Sequence, residues 1–279
     1  MKFKTILACA VLGLVIFNGR LNAAVESDVV GYTTVEMEGK GASAPIWYQI
    51  AIQFKGLGES EDKIKLGEAI SITGLTPTTW RNKSNAPCIQ VYNGIGYDLY
   101  YYTTQAFVDP TKTDTTKVTG WANANQVLAE DDYLNLGDAF WFKVNNLAEG
   151  ETATLTVAGT ASLAQASKSI AIGDNAWTLA ANPYPTDVAI QEIQCSLTPT
   201  TWRNKSNAPC IQVYNGVSYD LYYYTTQAFV DPTKTDTTKV TGWANANQVL
   251  VGDDTKIPAG VGFWIKTSGT ETGTLTFSL

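Results

Sequence analysis

"CIQVYNGIGYDLYYYTT", residues 88–104, decides the fold. Ile89 and Val91 alternate with Gln90 and Tyr92, the two-residue period of a strand. Asn93-Gly94 follows, the dipeptide that closes tight hairpins because both positions tolerate φ > 0. Beyond it, Tyr97, Leu99 and Tyr101 share one face and Asp98, Tyr100 and Tyr102 the other. The stretch therefore predicts a β-hairpin, with Tyr100 and Tyr102 on its polar side.

The same hairpin is written twice. Leu75–Leu128 matches Leu197–Leu250 at a constant offset of 122, and over 54 positions only two differ. Ile95 becomes Val217 and Gly96 becomes Ser218, both at the hairpin tip, where change is tolerated. A Gly-to-Ser exchange also implies that this position does not need positive φ. Outside the block the likeness fades but persists. Trp47 corresponds to Trp177, "AFWFKV" (139–144) to "GFWIKT" (262–267), and "ATLTV" (153–157) to "GTLTF" (273–277). Core packing alone does not demand such identity, because cores accept many equivalent side chains. Recent copying within the gene explains it; selection to keep two equal binding faces is the alternative.

A repeat of this length exceeds a solenoid period and indicates tandem domains. Further strand signals are "VVGYTTVEM" (29–37), "IWYQIAIQF" (46–54), "SKSIAI" (167–172) and "WTLAANPY" (177–184). "TDVAIQEI" (186–193) reads as a short helix or a strand, and "KGLGESEDKIK" (55–65) as an exposed charged loop. The fold class is all-β: two tandem β-sandwich-like domains spanning 24–160 and 161–279. Their junction is placed in the small, polar Gly159–Ser167 segment.

Residues 1–23 have the layout of a secretory signal peptide. Lys2 and Lys4 precede an unbroken apolar run of 12 residues, Ile6–Phe17, and small residues follow at Ala23 and Ala24. The run is short of the ~20 residues that span a bilayer. Removing 1–23 takes away Lys2, Lys4 and Arg20 and no acid, so the net charge moves from −7 to −10. Such a surface repels phosphate backbones, which argues against a nucleic-acid partner. The expected localisation is secreted or cell-surface.

Three cysteines lie beyond the leader: Cys88, Cys195 and Cys210. A Cys195–Cys210 disulfide would close a loop of about 15 residues, worth roughly 3 kcal/mol in the chain-entropy model. Cys88 would then be left for self-association, Cys88–Cys210 being the rival pairing and three reduced thiols the third option. The chain has no histidine, which removes the commonest general base and makes a zinc site improbable. Asp131-Asp132 and Asp253-Asp254 are adjacent carboxylates, which in a strand point to opposite faces; they read as turn residues. "DPTKTDTT", at 109–116 and 231–238, offers Asp109 and Asp114 as oxygen ligands, but its spacing fits an Asp-Pro turn better than a calcium loop. No metal or cofactor is expected. "NKS" at Asn82 and Asn204 marks an exposed loop.

The aromatics carry the most functional information. Trp141 and Trp264 sit in apolar strands and are expected in the core. Trp80 precedes "RNKSN" and Trp121 precedes "ANAN", so both stand among polar residues. With Tyr100 and Tyr102 they suggest an aromatic platform, repeated as Trp202, Tyr222, Tyr224 and Trp243. Flat rings stack on sugar faces, although Trp and Tyr also close domain ends with their bodies buried.

"VVGYTTVEM", "IAIQF", "IQVYN…YDLYYYT", "GWA", "GDAFWFKV" and "LTVAG" resemble a group of secreted β-rich proteins of Verrucomicrobia- and Lentisphaerae-type bacteria. "WTLAANPYP" (177–185) with "IPAGVGFWIKT" (257–267) is similar to Asn-Pro-Tyr-Pro modules of secreted Bacteroidetes proteins, a motif the first half lacks. These resemblances imply secretion and a β-sandwich, and bring no catalytic residues. The expectation is a non-enzymatic secreted or cell-surface protein with a structural or adhesive role, meeting polysaccharide or envelope components. The alternatives are a bivalent carbohydrate binder using both platforms and a His-free hydrolase.

Overall fold

The computed structural model describes residues 3–6, 29–39, 45–57, 59–145, 147–161, 167–173, 177–268 and 271–278. Of the anticipated signal peptide only 3–6 are included, a short strand beside Tyr32–Val35. The rest of 1–23, and residues 162–166 at the anticipated junction, lie outside the described residues.

The protein is all-β and sandwich-like. Each half carries a five-stranded antiparallel sheet. In the first half its strands are β1 (Ile46–Ala51), β2 (Cys88–Tyr92), β3 (Tyr97–Phe107), β4 (Lys117–Ala122) and β5 (Ala139–Val144). In the second they are β6 (Trp177–Ala181), β7 (Cys210–Tyr214), β8 (Tyr219–Phe229), β9 (Lys239–Ala244) and β10 (Gly262–Lys266). The spatial orders are equivalent: β1-β5-β2-β3-β4 and β6-β10-β7-β8-β9. A second sheet closes each core, built on Val29–Glu38 and Thr152–Ala161 in the first half, and on Ser167–Ile172 and Gly273–Ser278 in the second. Helix among the described residues is confined to short pieces, single turns at Leu66–Ala69 and Ile190–Glu192 and kinked 3-10 segments at Trp80–Asn85 and Trp202–Asn207.

Alternation along the strands builds the cores. Phe140, Phe142 and Val144 of β5 point inward beside Ile50, Ile89 and Trp121, and meet Val35, Leu155 and Val157 of the closing sheet. Phe263, Ile265, Ile211 and Trp243 repeat this against Leu275 and Phe277. Each such side chain, at 0–3% exposure, contributes about 1.5–3 kcal/mol by leaving water. At the hairpin tip Gly94 takes φ +93°, and the Asn93 carboxamide oxygen accepts from the amides of Ile95 and Gly96 at 3.2 and 2.8 Å. A Cβ on Gly96 would meet nothing within 4 Å, so Ser218 is tolerated in its counterpart.

Several expectations change. Ile64 of "KGLGESEDKIK" is buried, and Lys63–Lys65 pairs with Tyr133–Asn135 as a strand. "TDVAIQEI" is both a strand and a helical turn, Val188–Ala189 then Ile190–Glu192. Gly159–Ala161 of the anticipated junction belongs to a strand paired with Val29–Gly31. All three cysteines are free, so neither Cys195–Cys210 nor Cys88–Cys210 is formed. Cys195 sits in a strand of the closing sheet and Cys210 in β7 of the other sheet. Cys88, 2% exposed, is not placed for self-association, and burial pushes its thiol up to about 11.

The halves meet through the outward faces of the five-stranded sheets, in a reciprocal seam. The Ala51 amide donates to the Gly260 carbonyl at 3.0 Å, and the equivalent Ala181 amide to Gly137 at 2.8 Å. Ile50 bridges Val261 and Asp138 bridges Ala180, again an equivalent pair. A Cβ on Gly262 would stand 2.5 Å from that of Ala139, so glycine is what permits the close approach. Buried Gln53 locks the seam. Its oxygen accepts from the Thr33 hydroxyl at 3.1 Å, and its nitrogen donates to the carbonyls of Asn182 and Tyr184. The Asn-Pro-Tyr-Pro loop is thus a docking element, and its restriction to the second half follows: Gln53 of the first half is its receptor. Lys168 and Asp62 add an ion pair between the halves.

Candidate functional site

The register of β5 fixes which side chains face the other half. Trp141 stands opposite Gln49 of β1 and Gln90 of β2. Gln90 stands opposite Leu99, and Tyr92 opposite Tyr97. The outward face of the first sheet therefore carries Trp47, Gln49, Trp141, Gln90, Tyr92 and Tyr97. The second sheet presents Trp177, Leu179, Trp264, Gln212, Tyr214 and Tyr219 in the same arrangement.

These faces interleave rather than merely touch. Tyr92 packs edge-on to Trp264 of the other half at 5.2 Å, and Trp141 reaches Tyr214 at 6.0 Å. Trp47 stands edge-to-face on Trp141 at 6.3 Å, as Trp177 does on Trp264 at 6.0 Å. Between them lies an open groove of about 440 Å³, lined by Trp47, Gln90, Tyr97, Trp141, Tyr214, Tyr219 and Trp264. Both halves wall it, and no charged side chain is among the described residues that line it. Tyr97 and Tyr219 are 40% and 37% exposed at its mouth. Burial pushes both phenols up, and each hydroxyl lies within hydrogen-bonding reach of an indole, Trp141 for Tyr97 and Trp264 for Tyr219. Nearby Lys143 and Lys266 are tied down by donating to the Ser84 and Ser206 carbonyls, both at 3.1 Å.

The residues singled out from the sequence do not form a platform. Trp121 and Trp243 are 3% and 1% exposed, inside the two cores. Tyr102 and Tyr224 lean on them at 5.3 and 5.1 Å. Tyr100 and Tyr222 pair with Ile89 and Ile211, so they share the core-facing side instead of a polar one. Trp80 and Trp202 are half-buried on the opposite side of the sheet from Trp121. Each packs edge-to-face on Tyr101 or Tyr223, and its ring is covered by a lysine ammonium, Lys83 at 4.3 Å or Lys205 at 4.5 Å. A ring face occupied by an ammonium is not free to stack on a sugar. Trp141 and Trp264, expected in the core, line the groove instead. One signal could have found them: in "AFWFKV" the tryptophan has the opposite parity to Phe140 and Phe142.

The remaining candidates settle into structural roles. The Asp109 carboxylate accepts from the Thr113 and Thr111 hydroxyls and from the amides of Thr111, Thr113 and Asp114, all at 2.6–2.9 Å. Its own loop saturates it, which is the turn reading. Those donors, the Thr113 hydroxyl foremost, hold it well below the usual range, and Asp231 behaves alike. Burial raises Asp138 at the seam, opposed by the Asn135 side-chain and backbone donors. Asp131 and Asp132 are exposed, Asp131 pairing with Lys65 at 2.9 Å. Among the described residues no cluster of three His, Cys, Asp or Glu could hold a metal, and no helix is long and apolar enough to cross a membrane. No protein family, curated protein or solved structure matches this chain.

Proposed function

We propose that the protein is an exported, non-catalytic adhesive protein that holds a neutral carbohydrate chain in the groove between its halves. One observation carries the reading: an open groove walled by both halves, whose described lining is six aromatic rings and one carboxamide, with no charged side chain. Pyranoses with equatorial hydroxyls present apolar C–H faces to such rings, and their hydroxyls suit phenol, indole and amide partners at the ring edges. A net charge of −7 disfavours polyanionic ligands. A chain without histidine, whose groove carries no carboxylate, suits retention rather than hydrolysis. The site is composite, walled by both halves, in place of the separate platform on each half suggested by the repeat.

A polysaccharide array tests this. The parent protein is expected to retain neutral, equatorially substituted glucans or chitin-like chains. Trp141→Ala and Trp264→Ala should each weaken binding more than tenfold, the ~2 kcal/mol scale of a buried aromatic anchor. Trp80→Ala and Trp202→Ala should leave it unchanged. Binding that survives loss of both groove tryptophans, or a parent that binds no neutral glycan, sinks the proposal.

A further inference from the structure

The two walls of the groove are not equivalent, although the halves that build them are related by the repeat. Tyr92 closes on Trp264 at 5.2 Å, whereas its counterpart Tyr214 stands off from Trp141 at 6.0 Å. The Tyr92 hydroxyl donates to the Gly94 carbonyl in part-buried surroundings, the Tyr214 hydroxyl to the Gly216 carbonyl in exposed ones. The opening lies on the looser side. Gln90, the cross-strand neighbour of Trp141, lines it. Gln212, the cross-strand neighbour of Trp264, is not among the described residues that do.

Gln90 is the one described lining residue that offers a donor and an acceptor on separate atoms. The phenols are partly committed. Tyr214 gives its proton to Gly216 at 2.9 Å, and Tyr97 and Tyr219 face the indoles of Trp141 and Trp264. Half-buried Gln90 lies within hydrogen-bonding reach of the buried Cys88 thiol, which orients its amide. A carboxamide carries two N–H groups and an oxygen, so that contact leaves a donor and the acceptor for the groove. We infer that Gln90 is the specificity-determining polar contact of the groove, donating to one and accepting from the other of two adjacent equatorial hydroxyls on a sugar unit seated against Trp141. A 1,4-linked β-glucan carries such a pair on every unit, at C2 and C3. A chitin-like chain has an acetamido group at C2, and a 1,3-linked chain uses its C3 oxygen in the linkage. The ligand class thereby narrows to 1,4-linked β-glucans, and a polar contact on one wall alone holds the chain in one direction. A site built to hydrogen-bond a hydroxyl discriminates strongly against a chain that lacks or misplaces it.

This inference rests on the groove being the carbohydrate site, and its test separates the two. Gln90→Leu and Gln90→Met are compared with the parent, with Gln212→Leu and with Trp141→Ala. Thermal melting is read, and calorimetric binding of cellohexaose, chitohexaose and 1,4-linked mannohexaose, whose C2 hydroxyl is axial. The parent should prefer cellohexaose. Both Gln90 variants are expected to melt as the parent does, to bind cellohexaose at least tenfold more weakly and to lose the preference over mannohexaose, while Gln212→Leu binds like the parent. Parent-like affinity in the Gln90 variants, with Trp141→Ala defective, overturns the role of Gln90 and leaves the groove standing. A parent that prefers chitohexaose does the same. An equal loss in Gln212→Leu overturns the one-sided contact. Gln90 variants that both melt clearly below the parent also overturn the inference, since Gln90 is then a structural residue. A parent that binds no neutral glycan overturns the groove reading and this inference together.

Discussion

Trp243 is 1% exposed, and its indole N–H donates to the Ile193 carbonyl at 2.9 Å inside the second core. Trp202, within the same repeated block, lies half-buried beneath Lys205. Truncation separates these environments. Trp243→Ala removes a buried aromatic, leaves a cavity and orphans a carbonyl, so it should cost about 3–5 kcal/mol in denaturant unfolding. Trp202→Ala forfeits mainly one exposed cation–π contact and partial packing, on the order of 1 kcal/mol. Equal losses would show that the cores are not where these rings place them. Neighbouring residues mislead here: Asn245–Asn247 after Trp243 lie in a turn, where Asn245 caps backbone amides of Asn247 and Val249, while the tryptophan itself lies within the strand that ends at Ala244. Polarity along the chain says little about which way one side chain points.

At the scale of the element, strands and hairpin were readable because β-branched and aromatic residues alternate around an Asn-Gly turn. The inner and outer faces were not. Alternation identifies a core face only when the other face meets water. Here the second half covers the outer face, so β2, β3 and β5 carry large apolar or aromatic residues on both sides. Alternation therefore predicts Trp141 in the core and Tyr100 at the surface. The receptor for the Asn-Pro-Tyr-Pro loop, Gln53, is equally illegible, since its partners in that loop lie more than a hundred residues away. The repeated Asp109 loop is the opposite case, with every partner within five residues. Its pH response follows. Asp109 has a folded-state pKa below its ordinary 3.8, so its contribution is complete above that value and is lost as pH falls through the lower, folded-state pKa. Backbone relaxation of Thr111–Asp114 should report ordered amides down to that range and mobility only below it. Loosening that begins above pH 3.8 would contradict the hydrogen bonds drawn for this loop.

Across the whole molecule, the doubled hairpin has a geometric consequence that neither copy has alone. Each half supplies one wall, and the reciprocal seam through Ala51, Gly260, Ala181 and Gly137 brings equivalent tyrosines and tryptophans face to face. The repeat suggests two sites; the seam turns the two faces inward onto a shared groove. Gln90, Tyr97, Tyr214 and Tyr219 of its walls come from the near-identical block of the two halves. The most direct measurement is the calorimetric stoichiometry of a short neutral oligosaccharide on the intact protein. A composite groove predicts one ligand per chain, lost on Trp141→Ala or Trp264→Ala alike. Two equivalent ligands per chain, each lost with a tryptophan of its own half, would contradict it.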